Sequence, residues 1–135
     1  AANLVTNSGG YVTGSVNVTI TGSVTASQLK TINDSTDGSI TLNVTTDALF
    51  GTATDLANAF SGTVTQHTGT VVITDDPSAT ELQTINNATN GAITFGGGVT
   101  FTLSGTGSVL AAALNNVTNL EGNITVTDGA TIAEL

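Results

Sequence analysis

The stretch Ala26-Ser27-Gln28-Leu29-Lys30-Thr31-Ile32-Asn33-Asp34-Ser35-Thr36-Asp37-Gly38-Ser39-Ile40-Thr41 decides the fold, because it returns further along the chain. Its second copy is Ala79-Thr80-Glu81-Leu82-Gln83-Thr84-Ile85-Asn86-Asn87-Ala88-Thr89-Asn90-Gly91-Ala92-Ile93-Thr94. The offset, 53 residues from Leu29 to Leu82, holds along the stretch without a gap. Working outward, Val18, Val71 and Ile124 fall in one column, and Ile20, Ile73 and Val126 in another. Gln28, Glu81 and Glu134 form a third, with Leu29, Leu82 and Leu135 beside it. Register kept over so many positions marks a tandem repeat, and such units stack because one alone cannot bury its apolar face. The chain divides into a partial repeat at 1–24, units at 25–77 and 78–130, and the start of a third at 131–135. This division leads us to expect a piece of a longer array, or a face completed by another copy.

Each unit reads as helix, strand, helix, strand. Helices are expected over Ala26–Ser35, Thr54–Ser61, Ala79–Ala88 and Ser108–Asn115, and strands over Ser39–Val44, Thr70–Thr74, Ala92–Leu103 and Asn123–Thr127. Thr25-x-x-Gln28, Ser78-x-x-Glu81 and Thr131-x-x-Glu134 fit capping boxes, in which a hydroxyl and a Glu or Gln satisfy free N–H groups reciprocally. Leu29 with Ile32, and Leu82 with Ile85, follow at helical spacing. Gly38 and Gly91 are expected to end the helices in a left-handed conformation. Ile40, Leu42 and Val44 alternate with Ser39, Thr41 and Asn43, as in a strand with one buried face. Helices this short need packing to persist. Equal spacing without insertions, with helix alternating with strand, predicts parallel ladders and right-handed crossovers. The expected fold is therefore an α/β repeat solenoid of short helices and strands. The competing architecture is a β-rich stacked solenoid whose Ala-rich segments are irregular turns.

Composition narrows the function. The 135 residues carry ten acidic and one basic side chain, a formal net charge of −9, with 16 Gly and no Cys. Such a chain repels phosphate, which argues against nucleic acid and anionic membrane surfaces as partners. No apolar run approaches the ~18 residues of a membrane span. Without cysteine there is no disulfide and no thiolate metal site.

Few residues could carry chemistry. His67 is the one imidazole, and its column holds Gly14 and Leu120, so we read it as an incidental loop or surface histidine. Asp75 and Asp76 lie between a strand and a capped helix, with Asp128 in the same place one unit on. They are weak calcium candidates, since a hard cation takes carboxylate and carbonyl oxygens. Thr21-Gly22 occupies that place in the first copy, and a turn with favourable charge at a helix N-terminus is the simpler reading. Asp34, Asp37, Asp47 and Asp55 are replaced at the 53-residue offset by Asn87, Asn90, Thr100 and Ser108, as turn residues would be. No acid/base pair recurs, so the sequence points away from an enzyme, and no cofactor is implied beyond the weak calcium reading. Thr19 and Thr125 align, but Val72 stands between them and interrupts any threonine ladder that could match an ice lattice.

The pattern at Ala79–Thr94, with Gly51–Phe60 and Thr68–Asp75, resembles the tandem repeats of giant bacterial, cyanobacterial-type, cell-surface proteins. The resemblance implies a secreted or surface-anchored protein with a structural, adhesive or motility-related role, and it brings no functional residues with it. The expected function is a structural segment of an extracellular or cell-surface protein that forms a stiff rod, fibre or sheath. Its expected partners are neighbouring copies or repeats of itself. The alternative is an adhesive or calcium-stiffened binding module, with surface glycans as the further partner.

Overall fold

Strands with apolar residues at every second position have one face to bury, and short helices with one apolar stripe can cover it. The computed structural model describes residues 15–43, 47–98, 100–118 and 120–129, and they form a mixed α/β fold. In chain order the elements are β1 (Val18–Ile20), α1 (Ala26–Asn33), β2 (Ile40–Leu42), β3 (Leu49–Gly51), α2 (Ala53–Ala59) and β4 (Val71–Ile73). They continue with α3 (Ala79–Ala88), β5 (Ile93–Phe95), β6 (Phe101–Gly105), α4 (Gly107–Ala113) and β7 (Gly122–Val126).

Every strand pair is parallel. β1 pairs with β2, β3 with β4, β4 with β5, and β6 with β7, and each pair brackets one helix. Single parallel bridges from Ile40 to Val64, His67 to Thr89 and Ile93 to Val117 extend the ladders. The helices pack in sequence, α1 on α2, α2 on α3 and α3 on α4. The Ala-rich segments are thus true helices and not irregular turns.

Each helix buries the same three positions. These are Ala26, Leu29 and Ile32 in α1; Ala53, Leu56 and Ala59 in α2; Ala79, Leu82 and Ile85 in α3; and Gly107, Leu110 and Ala113 in α4. A stripe at i, i+3 and i+6 runs along one face of two helical turns. Facing it are the inward strand residues Val18, Ile20, Ile40, Leu42, Val71, Ile73 and Ile93, and together they make one core. Fully burying a Leu or Ile side chain stabilises by roughly 1.5–3 kcal/mol, which is what holds helices of 7 to 10 residues in place. Their N-termini are finished as the sequence requires. Thr25 and Ser78 form complete capping boxes with Gln28 and Glu81. Thr52 and Thr106 cap α2 and α4 through their hydroxyls alone, because Asp55 and Val109 follow where a box needs Glu or Gln.

The structure corrects several expectations. The 53-residue offset is not uniform. The caps Thr52 and Thr106, and the buried Leu56 and Leu110, are 54 apart, whereas Val64 and Val117 return to 53. The extra residue sits before β6, and its counterpart is lost after α4. Asp47 therefore corresponds to Phe101, and Asp55 to Val109. The single strand expected over Ala92–Leu103 is two, β5 and β6, parted where Gly97 and Gly98 adopt φ of 74° and 68°. β3 was not anticipated. Gly38 and Gly91 are not left-handed helix stops, since α1 and α3 end at Asp34 in αR and Thr89 in extended geometry. Val44 and the third capping box at Thr131 and Glu134, with Leu135, lie outside the described residues.

Candidate functional site

Polar side chains are concentrated where one helix–strand segment meets the next. Asn33, the last residue of α1, donates from Nδ2 to the carbonyls of Asn58 and Ser61 at 2.8 and 2.6 Å. One period on, Asn86 in α3 donates to the carbonyls of Ala112 and Ala113 at 2.9 and 3.0 Å. In both cases a helix C-terminus whose last carbonyls lack intrahelical donors is clamped by its neighbour. Asn86 is buried, and its own Oδ1 accepts from Asn116 Nδ2 at 3.0 Å. The corresponding positions in α2 and α4 are the C-caps Phe60 and Leu114. Clamp and apolar cap alternate, so half-units of similar length differ and the full period spans two helices.

A second pair works from the strand side. Thr36 donates to the Val16 carbonyl and accepts from Gly38 N–H, while Thr89 donates to the His67 carbonyl and accepts from Gly91 N–H. Both hydroxyls are buried, where an unmade hydrogen bond is costly. Gly38 and Gly91 are glycine because the preceding segment passes against them. A Cβ there would lie 2.3 Å from the Val16 oxygen or 1.8 Å from the Gly69 oxygen.

Replacing Asn86 with alanine is expected to cost about 2 kcal/mol, because the carbonyls of Ala112 and Ala113 and the Asn116 amide lose a buried partner together. Urea denaturation checks this, and Asn87→Ala, at an exposed neighbouring position, is the control with little change.

The acidic candidates take their places at helix N-termini. Asp75 Oδ1 accepts from the Ala53 N–H at 2.6 Å, and Asp128 Oδ1 from the Gly107 N–H at 2.7 Å. These are the first residues of α2 and α4, whose free N–H groups carry the positive end of the helix dipole. Thr52 and Thr106 serve the N–H groups two residues further on. Asp76 is exposed. Among the described residues no three His, Cys, Asp or Glu side chains gather into a group able to hold a metal ion. Glu81 also joins two helices, accepting from the Thr54 hydroxyl of α2 at 2.7 Å and from the Ser78 N–H at 2.9 Å. The Ser78 N–H, then the Thr54 and Ser78 hydroxyls, hold its carboxyl below the usual range. Its contribution is present above the ordinary glutamate pKa and is lost as pH falls through the lowered one.

His67 corrects the sequence reading most directly. It is not a loop or surface residue but 3 % exposed, inside a parallel bridge to Thr89. Its N–H donates to the Ala88 carbonyl at 3.0 Å, and its carbonyl accepts from Asn90 N–H at 2.8 Å. The ring lies 6.1 Å from that of Phe60, and Nε2 has no hydrogen-bond partner among the described residues. Burial pushes its pKa down, against the backbone carbonyl of Thr70 and the charge and carbonyl of Asp47, which favour the proton.

No protein-family model, curated protein or solved structure matches the chain. The seam residues Asn33 and Thr36 were not singled out in the sequence, and Gly38 was read only as a helix stop, although a signal for all three existed. They are polar or glycine positions kept identical as Asn86, Thr89 and Gly91, whereas Asp34, Ser35 and Asp37 all change.

Proposed function

We propose that the chain is an architectural segment: an α/β solenoid whose successive helix–strand turns stack into a stiff rod, within a fibre, sheath or spacer outside the cell. One observation carries this reading. The contacts between successive segments recur one period apart, as Asn33 with Asn86, Thr36 with Thr89, Gly38 with Gly91, and Asp75 with Asp128. The exposed charges of Asp34, Asp37 and Asp47 do not recur. A protein that keeps its seams and lets its surface drift is organised around stacking.

The growing face is β7. Ile124 belongs to the column of Val18 and Val71, which are buried, yet it is 45 % exposed on this strand. Another turn, from a neighbouring repeat or copy, covers it in the proposed assembly. The extracellular setting rests on the absence of cysteine, the scarcity of Lys and Arg, and the resemblance to cell-surface repeats.

Concatenating residues 25–130 into longer chains and imaging them by electron microscopy tests the proposal. Parallel strands lie ~4.8 Å apart, so a unit of two turns adds about 10 Å of length at constant width. Particles that grow in all dimensions, or separate into beads, would sink it.

A further inference from the structure

His67 is a buried imidazole that the packing does not demand. The neighbouring repeat puts Leu120 in its place, within a segment of the same length between Val117 and Ile124 as between Val64 and Val71. Leu120 packs against the core. A second exchange accompanies the first. Leu49 pairs with Val71 as Leu103 pairs with Ile124, so Asp47, two residues before Leu49, corresponds to Phe101, two before Leu103. Phe101 is buried and apolar. Where one repeat has Phe101 and Leu120, the other has Asp47 and His67, a matched substitution of two ionisable groups for two apolar ones.

The site around them is small. A cavity of about 10 Å³, room for about one water, lies beside the His67 ring. Val24 and Leu29 close it from the α1 side, Leu42 from β2, and Asp47 and Leu49 from the β3 side, while Phe60 of the α2 C-cap lies by the ring. Asp47 is the one charged group among these. It is exposed and also accepts from the Ser23 hydroxyl. The neutral ring leaves Nε2 without a hydrogen-bond partner among the described residues, and burial opposes a charge on it more strongly than the Thr70 carbonyl and the charge and carbonyl of Asp47 favour one. Protonation and closure therefore compete.

We propose that His67 and Asp47 form an acid-sensitive latch: protonation of the buried His67 ring opens the segment between α2 and β4 from Thr89 and Asn90. The sign follows from burial, which lowers the folded-state pKa below 6.5. Above the unfolded pKa, near 6.5, neither state binds the proton and the latch is fully closed. As pH falls below that value the open state takes up a proton that the closed state refuses, so opening is favoured until the folded-state pKa is reached. One linked proton corresponds to at most about a tenfold change in the opening constant per pH unit. The Phe101 and Leu120 site has no such group and stays insensitive in this range.

Amide hydrogen exchange by NMR on the whole 135-residue chain, corrected for intrinsic rates and run from pH 7.5 to 5.5, tests this. The reporters are the His67 N–H, bonded to the Ala88 carbonyl, and the Asn90 N–H, bonded to the His67 carbonyl. The Ile93 N–H, bonded to the Asn116 carbonyl, reports on the other repeat. Opening at the first two amides is expected to rise severalfold to tenfold per unit below about pH 6.5, with the third flat. His67→Leu is expected to remove that dependence. The His67 ring proton signals of the unsubstituted chain supply a readout independent of any variant. They are expected to titrate below 6.5 in the closed form, and in Asp47→Asn to titrate lower still, because the favouring charge is gone. Equal pH dependence in the parent chain and His67→Leu overturns the latch. So does a His67 ring that titrates at or above 6.5 with the reporter amides still protected.

Discussion

Gly91→Ala is expected to be the most damaging single-methyl substitution in the described structure, costing about 3 kcal/mol or more. The added Cβ would sit 1.8 Å from the Gly69 carbonyl oxygen and 2.6 Å from its carbon. That obstacle is backbone, so no side chain can swing aside. Relief requires the segment that pairs with β5 to move, and with it the Thr89 hydroxyl bond to the His67 carbonyl and the Asn90 N–H bond to the same oxygen. The midpoint of thermal unfolding, followed by circular dichroism, is expected to fall by roughly 12 °C, at about 4 °C per kcal/mol for a chain of this size. Gly22→Ala provides the contrast, since no atom lies within 4 Å of the Cβ it would add, and it should leave the midpoint nearly unchanged. Equal midpoints for Gly91→Ala and the parent chain would mean that the two segments do not approach as described.

Leu82→Ala is expected to cost about 3 kcal/mol. Leu82 is fully buried on α3, the helix that packs between α2 and α4. Truncation removes apolar contacts and leaves a cavity that neighbours held on both sides collapse into only partly. The equivalent Leu110→Ala on α4 should cost less, because among the described residues that helix has one helical neighbour, α3, and not two. Urea titration of both variants measures the difference. A larger loss for Leu110 than for Leu82 would contradict an arrangement in which helices support one another in sequence.

These two substitutions probe features that were unequally legible in the sequence. Leu82 was readable at once. Its spacing to Ile85, the Ser78 and Glu81 box before it, and its identity with Leu29 one period earlier all point to the inner face of a capped helix. The inward strand residues Ile40, Leu42, Val71 and Ile73 were legible for the same reason, because alternation is a local signal. The role of Gly91 was misread. A glycine after a helix usually marks a left-handed stop, but here the constraint comes from Gly69, more than twenty residues away. His67 failed in the same way, since its ring is buried by Phe60, Leu42 and Leu49, which local sequence does not bring near it.

The acidic residues show the boundary from another side. Asp75 and Asp128 read as turn residues with favourable charge near a helix start, and helix N-termini are where they act. The helices, however, are α2 and α4, which precede them in the chain, and not the ones that follow. Charge preference is a local property; the choice of helix depends on which turn lies alongside.

By itself, then, the sequence determined the period, the four helices with the inner stripes of α1 and α3, and the alternation that selects the buried face of β1, β2 and β4. These follow from propensity, capping and periodicity, which act over a few residues. Tertiary structure alone decided the compensated one-residue shift around β6, the Asn and Thr clamps, the glycine seams, and the burial of His67 opposite Asp47. Each depends on what the preceding segment places opposite a residue, at separations of about twenty residues, where parallel pairing and backbone contact set the register.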